Sequence, residues 1–201
     1  MRSNAHHTLQ LTLLLLIGFG EFSAFGAGSA GMVAGLSNLV ARAEADLQAA
    51  RSRAAQEATN SVAAWELGRA CFTWGKMLKD AAAKEKIYSE GVAACRRSLK
   101  LAPHTAAAHY YLGMNVGRVA ELKRNLAAFG MVKEVESSFQ QALKLDEKIA
   151  HAGPDRNLGL LYEHAPGWPV SVGNVKLARK HLERAAKLAP DYPENRLNLA
   201  E

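Results

Sequence analysis

The stretch Ala64-Trp65-Glu66-Leu67-Gly68-Arg69-Ala70-Cys71-Phe72 returns in outline as His109-Tyr110-Tyr111-Leu112-Gly113-Met114-Asn115-Val116-Gly117, and again as Asp155-Arg156-Asn157-Leu158-Gly159-Leu160-Leu161-Tyr162-Glu163. Its Leu-Gly pair recurs at intervals of 45 and 46 residues. Behind each copy runs a second pattern at helical spacing: Tyr88, Gly91, Cys95, Ser98, Leu101; then Val132, Val135, Phe139, Ala142, Leu145; then Val175, Ala178, Leu182, Ala185, Leu188. Two helices per unit at a fixed period specify an α-solenoid, because one such unit cannot bury its apolar face and must stack on the next. The expected fold is all-α: a right-handed α-solenoid of three lengthened helical hairpins, with a leading helix and a short C-terminal helix. Such an array offers a long concave surface, which suits a binding scaffold better than an enzyme.

Breakers set the boundaries. The units span 61–103, 104–150 and 151–190, with Pro103 and Pro190 behind the first and third second helices. A partial cap, 191–201, restarts at Pro193, a residue suited to a first helical turn. Ahead of the units, in 31–60, Leu36, Leu39, Val40, Ala43, Leu47, Ala50 and Ala54 make an amphipathic leading helix that Asn60-Ser61 ends and recaps. Within each hairpin the small residues mark close helix crossings, and Gly68/Gly91, Gly113/Val135 and Gly159/Ala178 are the expected facing pairs.

Residues 1–30 have a different composition. Arg2 precedes the apolar run Leu11 to Phe19, and small residues follow from Ser23 to Gly31. That order describes a secretory signal peptide, cut after Gly26 or Ala30, and the run is short for a span of about 20 residues. The expected location is periplasmic or secreted after cleavage, and membrane-anchored if the segment is retained. Export permits a disulfide, yet the hairpin register puts Cys71 and Cys95 roughly 10 Å apart along the axis, beyond bridging distance. Two buried thiols are expected.

The chain carries a formal charge of +6, but its basic residues are scattered among acidic ones, so nucleic acid is not the expected partner. His104, His109, His151, His164 and His181 lack the i, i+4 spacing of a helical zinc site. There is no glycine-rich phosphate loop, and neither cysteine has a base in place. No catalytic residue, metal or cofactor is expected.

The units resemble the tetratricopeptide repeat. Gly159, Tyr162, Ala178, Leu182, Ala185 and Pro190 follow its pattern, with Leu67-Gly68, Phe139 and Ala142 in part. The usual unit is about 34 residues, so each hairpin here holds an insertion of roughly seven to eleven residues, absorbed by longer helices or longer turns. Stretched units of this kind look like those of the T component of TRAP transporters and of the regulator of microtubule dynamics group. The segments Ala152-Gly153-Pro154-Asp155-Arg156-Asn157-Leu158-Gly159-Leu160-Leu161-Tyr162, Ala165-Pro166-Gly167-Trp168-Pro169 and Ala189-Pro190-Asp191-Tyr192-Pro193-Glu194-Asn195 are similar to a bacterial branch of that group. The likeness runs from about Ser61 to Glu201, and the third unit is its most specific part. It implies a periplasmic interaction module, in some members oligomeric, that serves a solute-binding or envelope protein.

In tetratricopeptide arrays the concave face is lined by first-helix residues beside the packing stripe. Here that face would hold Trp65, Arg69 and Phe72, then Tyr110, Met114 and Arg118, then Arg156, Leu160 and Glu163. Arginine and aromatic groups together suit a peptide or a carboxylate. Trp168, in a loop stiffened by two prolines and a glycine, is expected to plug the end of the third hairpin. The function read from the sequence is therefore an exported, non-catalytic scaffold that binds a protein or peptide, self-association being open. The alternative is a periplasmic accessory of a solute transport system that holds a small hydrophobic or anionic ligand.

Overall fold

A computed structural model describes residues 29–123 and 126–200. The expected signal segment lies outside the described residues except for its last two, which open the first helix. Eight α-helices occur among the described residues: α1 Ser29–Gln56, α2 Ser61–Met77, α3 Ala81–Leu101, α4 Ala106–Lys123, α5 Leu126–Leu145, α6 Ile149–His164, α7 Val175–Leu188 and α8 Pro193–Ala200. No helix among the described residues is long and apolar enough to cross a membrane. The all-α class is as the sequence required.

Local chemistry explains where the helices start. The Asn60 side chain accepts from the Val62 and Ala63 amides at 2.8 and 3.4 Å. Asp80 does the same for Ala83 at 2.7 Å, and Asn174 for Leu177 at 3.1 Å. Each satisfies an amide that has no partner within its own helix. Consecutive helices then pack: α2 on α3, α4 on α5, α6 on α7, with α3 against α4 and α5 against α6. The first helices also meet one another, α2 with α4 and α4 with α6. The first four unit helices have 17, 21, 18 and 20 residues and short connections, whereas α6 and α7, of 16 and 14, are joined by the long loop 165–174.

The Leu-Gly glycines are places where a neighbour fills the room of a side chain. A Cβ on Gly68 would collide with the Cys95 sulfur and come within 3.3 Å of the Gly91 carbonyl; on Gly159 it would lie 2.6 Å from Leu182 and 3.2 Å from the Ala178 carbonyl. At Gly113 the occupant is the Phe139 ring, 2.8 Å from such a Cβ, and not Val135 as the register suggested. Cys71 and Cys95 are both buried and unbridged. Burial pushes the Cys71 thiol up to about 12 and raises Cys95 as well.

The entry to α6 departs from any pattern visible in the sequence. Ala150, His151 and Ala152 have φ of 51, 58 and 59°, so three consecutive residues with side chains form one left-handed turn. Each costs about 1–2 kcal/mol in that region. The turn is held from outside itself. Arg156 donates to the His151 and Ala150 carbonyls at 3.1 and 3.4 Å, and the Asn195 amide donates to the His151 carbonyl at 3.1 Å. Pro154 then starts the right-handed part of α6, where a missing amide hydrogen does no harm.

Candidate interaction face

Three groups of side chains lie along the first helices. On α2, Trp65 is half-buried and stacks on Tyr111 of α4, centroids 6.1 Å apart and planes 3° from parallel. Exposed Arg69, one turn further, sets its guanidinium 5.5 Å from the Trp65 ring. The Tyr111 stack orders the indole, and the Arg69 cation lies beside it.

The second group centres on Phe72. Its ring is buried, and two cations from different helices converge on it: Lys76 from α2 at 5.1 Å and Arg118 from α4 at 6.0 Å. Arg118 also bonds Glu121 at 2.8 Å. Burial, with the nearby Arg118 charge, holds the Lys76 amine below its ordinary range, while Glu194 at the start of α8 pulls the other way. Two cations and the Glu121 carboxylate thus meet at the Phe72 ring between α2 and α4.

The third group is structural. Arg156 is only 7% exposed. It donates to Asn195 Oδ1 at 2.9 Å, lies 4.8 Å from the Tyr192 ring and stands 3.9 Å from Glu194. Neighbouring Asp155, fully buried, takes His181 at 2.8 Å and Arg184 at 3.1 Å instead. Tyr110 is also buried; Asn157 donates to its hydroxyl at 3.3 Å, and burial raises its pKa against the pull of Arg156.

Of the nine residues expected on this face, the structure brings Trp65 and Arg69 together, and Phe72 with Arg118. Met114, Tyr110 and Leu160 are core residues, Arg156 fastens the C-terminal helix, and Glu163 is exposed beside His164. The repeat explains the error. Trp65, Tyr110 and Arg156 occupy equivalent positions, but α6 buries Tyr110 through Gly153 and Asn157, and α8 buries Arg156. Lys76 and Tyr111 went unnoticed, although Lys76 follows Phe72 by four residues and so shares its helix face.

Trp168 does not plug the third hairpin; its side chain stands in solvent. Main-chain bonds close that end, from Asn174 to the Tyr162 carbonyl at 2.8 Å and from Gly173 to the Pro166 carbonyl at 2.9 Å. A cleft of about 540 Å³ between α1 and α2 is lined by Asp46, Arg53, Glu66, Arg69 and Thr73, with an Arg53–Glu66 ion pair inside it.

No curated protein matches the chain. The family model of regulator of microtubule dynamics protein 1-3 matches residues 38–152. That span takes in most of α1 and both complete early units, and ends at the left-handed turn, short of the third unit whose motifs carried the resemblance most strongly. With more than half of its 201 residues matched, the chain belongs to the regulator of microtubule dynamics protein 1-3 family.

Proposed function

We propose that the chain is a non-catalytic scaffold whose α2–α4 face binds an acidic segment of a protein or peptide partner. Its helices are taken to form a right-handed solenoid of three lengthened tetratricopeptide-like hairpins, a reading supported by the α2–α4 and α4–α6 contacts between first helices. The observation that carries the binding proposal is the convergence of Lys76 and Arg118 on the Phe72 ring. Phe72 and Glu121 already order these side chains, so a partner carboxylate joins an arranged cluster and shares Arg118 with Glu121. Trp65 with Arg69 repeats the chemistry two turns earlier on α2. Arg2 and the apolar run behind it support export to the periplasm or beyond.

Peptides selected from a random library on the immobilised protein test the reading. Aspartate and glutamate should be enriched, and affinity for the best peptide should fall at least about tenfold in Arg118→Glu and Arg69→Glu, with unchanged circular dichroism. Arg69 is exposed, so its variant separates lost binding from lost folding. Equal affinity in wild type and both variants would count decisively against this face.

A further inference from the structure

The loop between α6 and α7 and the first residue of α7 carry the two most exposed large apolar side chains of the described residues, Trp168 and Val175, with exposed Val170 between them. Trp168 is 89% exposed, Val170 60% and Val175 75%. By contrast, Trp65 and Trp74 are half-buried. Leaving an indole in water gives up one of the largest hydrophobic contributions a side chain can make.

The display is not that of a loose chain. Val170 and Ser171 both donate to the Gly167 carbonyl, at 3.1 and 3.2 Å, and Gly167 bridges to Gly173. A Cβ on Gly173 would run into the Ala165 and Pro166 carbonyls, so the two ends of the loop are pressed together. Trp168 thus projects from a closed main-chain frame anchored on Tyr162.

Three cations follow the loop in sequence. Lys176, Arg179 and Lys180 are exposed on the first half of α7, whose first turn has no acidic residue. They take no part in the ion pairs of that helix, which run through His181 and Arg184 to Asp155 and Glu147. The acidic groups nearest in sequence are Glu163, placed beside His164, and Glu183 further along α7.

We propose that this tip docks on an anionic lipid bilayer: Trp168, Val170 and Val175 enter the interfacial region while Lys176, Arg179 and Lys180 face the headgroups. Tryptophan settles at the boundary of headgroup and acyl chain, where its ring is buried and its N–H stays wet. Basic side chains within a Debye length add attraction to anionic lipid. A protein partner fits less well. Three protruding side chains around one loop fall short of the roughly 800 Å² that a stable complex buries on each partner, whereas a bilayer accepts a few inserted groups aided by charge.

The test uses the full chain with vesicles of phosphatidylcholine, with and without phosphatidylglycerol. In a Trp65→Phe/Trp74→Phe variant, Trp168 is the sole indole, and brominated acyl chains should quench it on phosphatidylglycerol vesicles. Trp168→Ser, and Lys176→Glu with Arg179→Glu and Lys180→Glu, should each weaken co-sedimentation at least about tenfold without changing the circular dichroism. Co-sedimentation with Trp168 unquenched would mean that another segment makes the attachment, and the proposal is wrong. It is equally wrong if the protein ignores anionic vesicles, which would leave the tip as a protein contact, or if Trp168→Ser binds like wild type.

Discussion

Gly113 and Gly130 are both helical, yet a methyl group would meet opposite surroundings at the two sites. At Gly113 it would press on the Phe139 ring, a fully buried group with no space to retreat. Gly113→Ala should therefore cost about 1–3 kcal/mol. At exposed Gly130 nothing lies within 4 Å, so Gly130→Ala should gain about 1 kcal/mol of helix propensity. Urea unfolding of both variants checks the pair, and stabilisation at Gly113 would show that the ring gives way. The importance of Gly113 was legible from the Leu-Gly repeat, but its occupant was not, because Phe139 lies one turn beyond the position the register picks. The same limit applies to Arg156. Its place in the repeat is that of Trp65, and nothing local announces that Asn195, 39 residues on, buries it.

At the scale of the element, α8 shows how eight residues can be fixed to a core. Asn195 is fully buried; its amide nitrogen donates to the His151, Ala185 and Ala189 carbonyls at 3.1, 3.1 and 3.0 Å, and its oxygen takes Arg156. His151 and Tyr192 stack outside this knot at 4.6 Å. Asn195→Ala should cost roughly 2–4 kcal/mol, since it strands a buried guanidinium and several carbonyls. Hydrogen exchange should show residues 193–200 losing protection before the rest; protection equal to wild type would refute the role given to Asn195. Helix starts were readable from Asn60 and Pro193, whose chemistry is local. The left-handed turn was not, because its holding bonds come from Arg156 and from another helix. Trp168 was misread because two prolines and a glycine report stiffness and say nothing of direction.

For the whole molecule, the buried phenols and thiols set an alkaline limit. Burial pushes Tyr162 up to about 12, with help from Glu136, and Tyr192 up to about 12, with help from Glu194. Cys71 is moved to about 12 from an ordinary value of 9.0. In each case the unfolded chain loses its proton first, so the stabilisation is complete below about pH 9 and is lost as pH climbs toward 12. The melting temperature should hold to about pH 9 and then fall, less steeply in Tyr162→Phe. A flat profile to pH 11 or so would contradict the burial of these groups. The left-handed turn also bears on how such a chain is lengthened or spliced. The join from α3 to α4 is local, with Thr105 bonding the Ala102 carbonyl and His109 the Pro103 carbonyl, so it can be copied with its unit. The join into α6 borrows its bonds from Arg156 and Asn195. A graft that moves α6 without α8 therefore carries a turn that has lost the Asn195 bond and the partner that holds Arg156 in place.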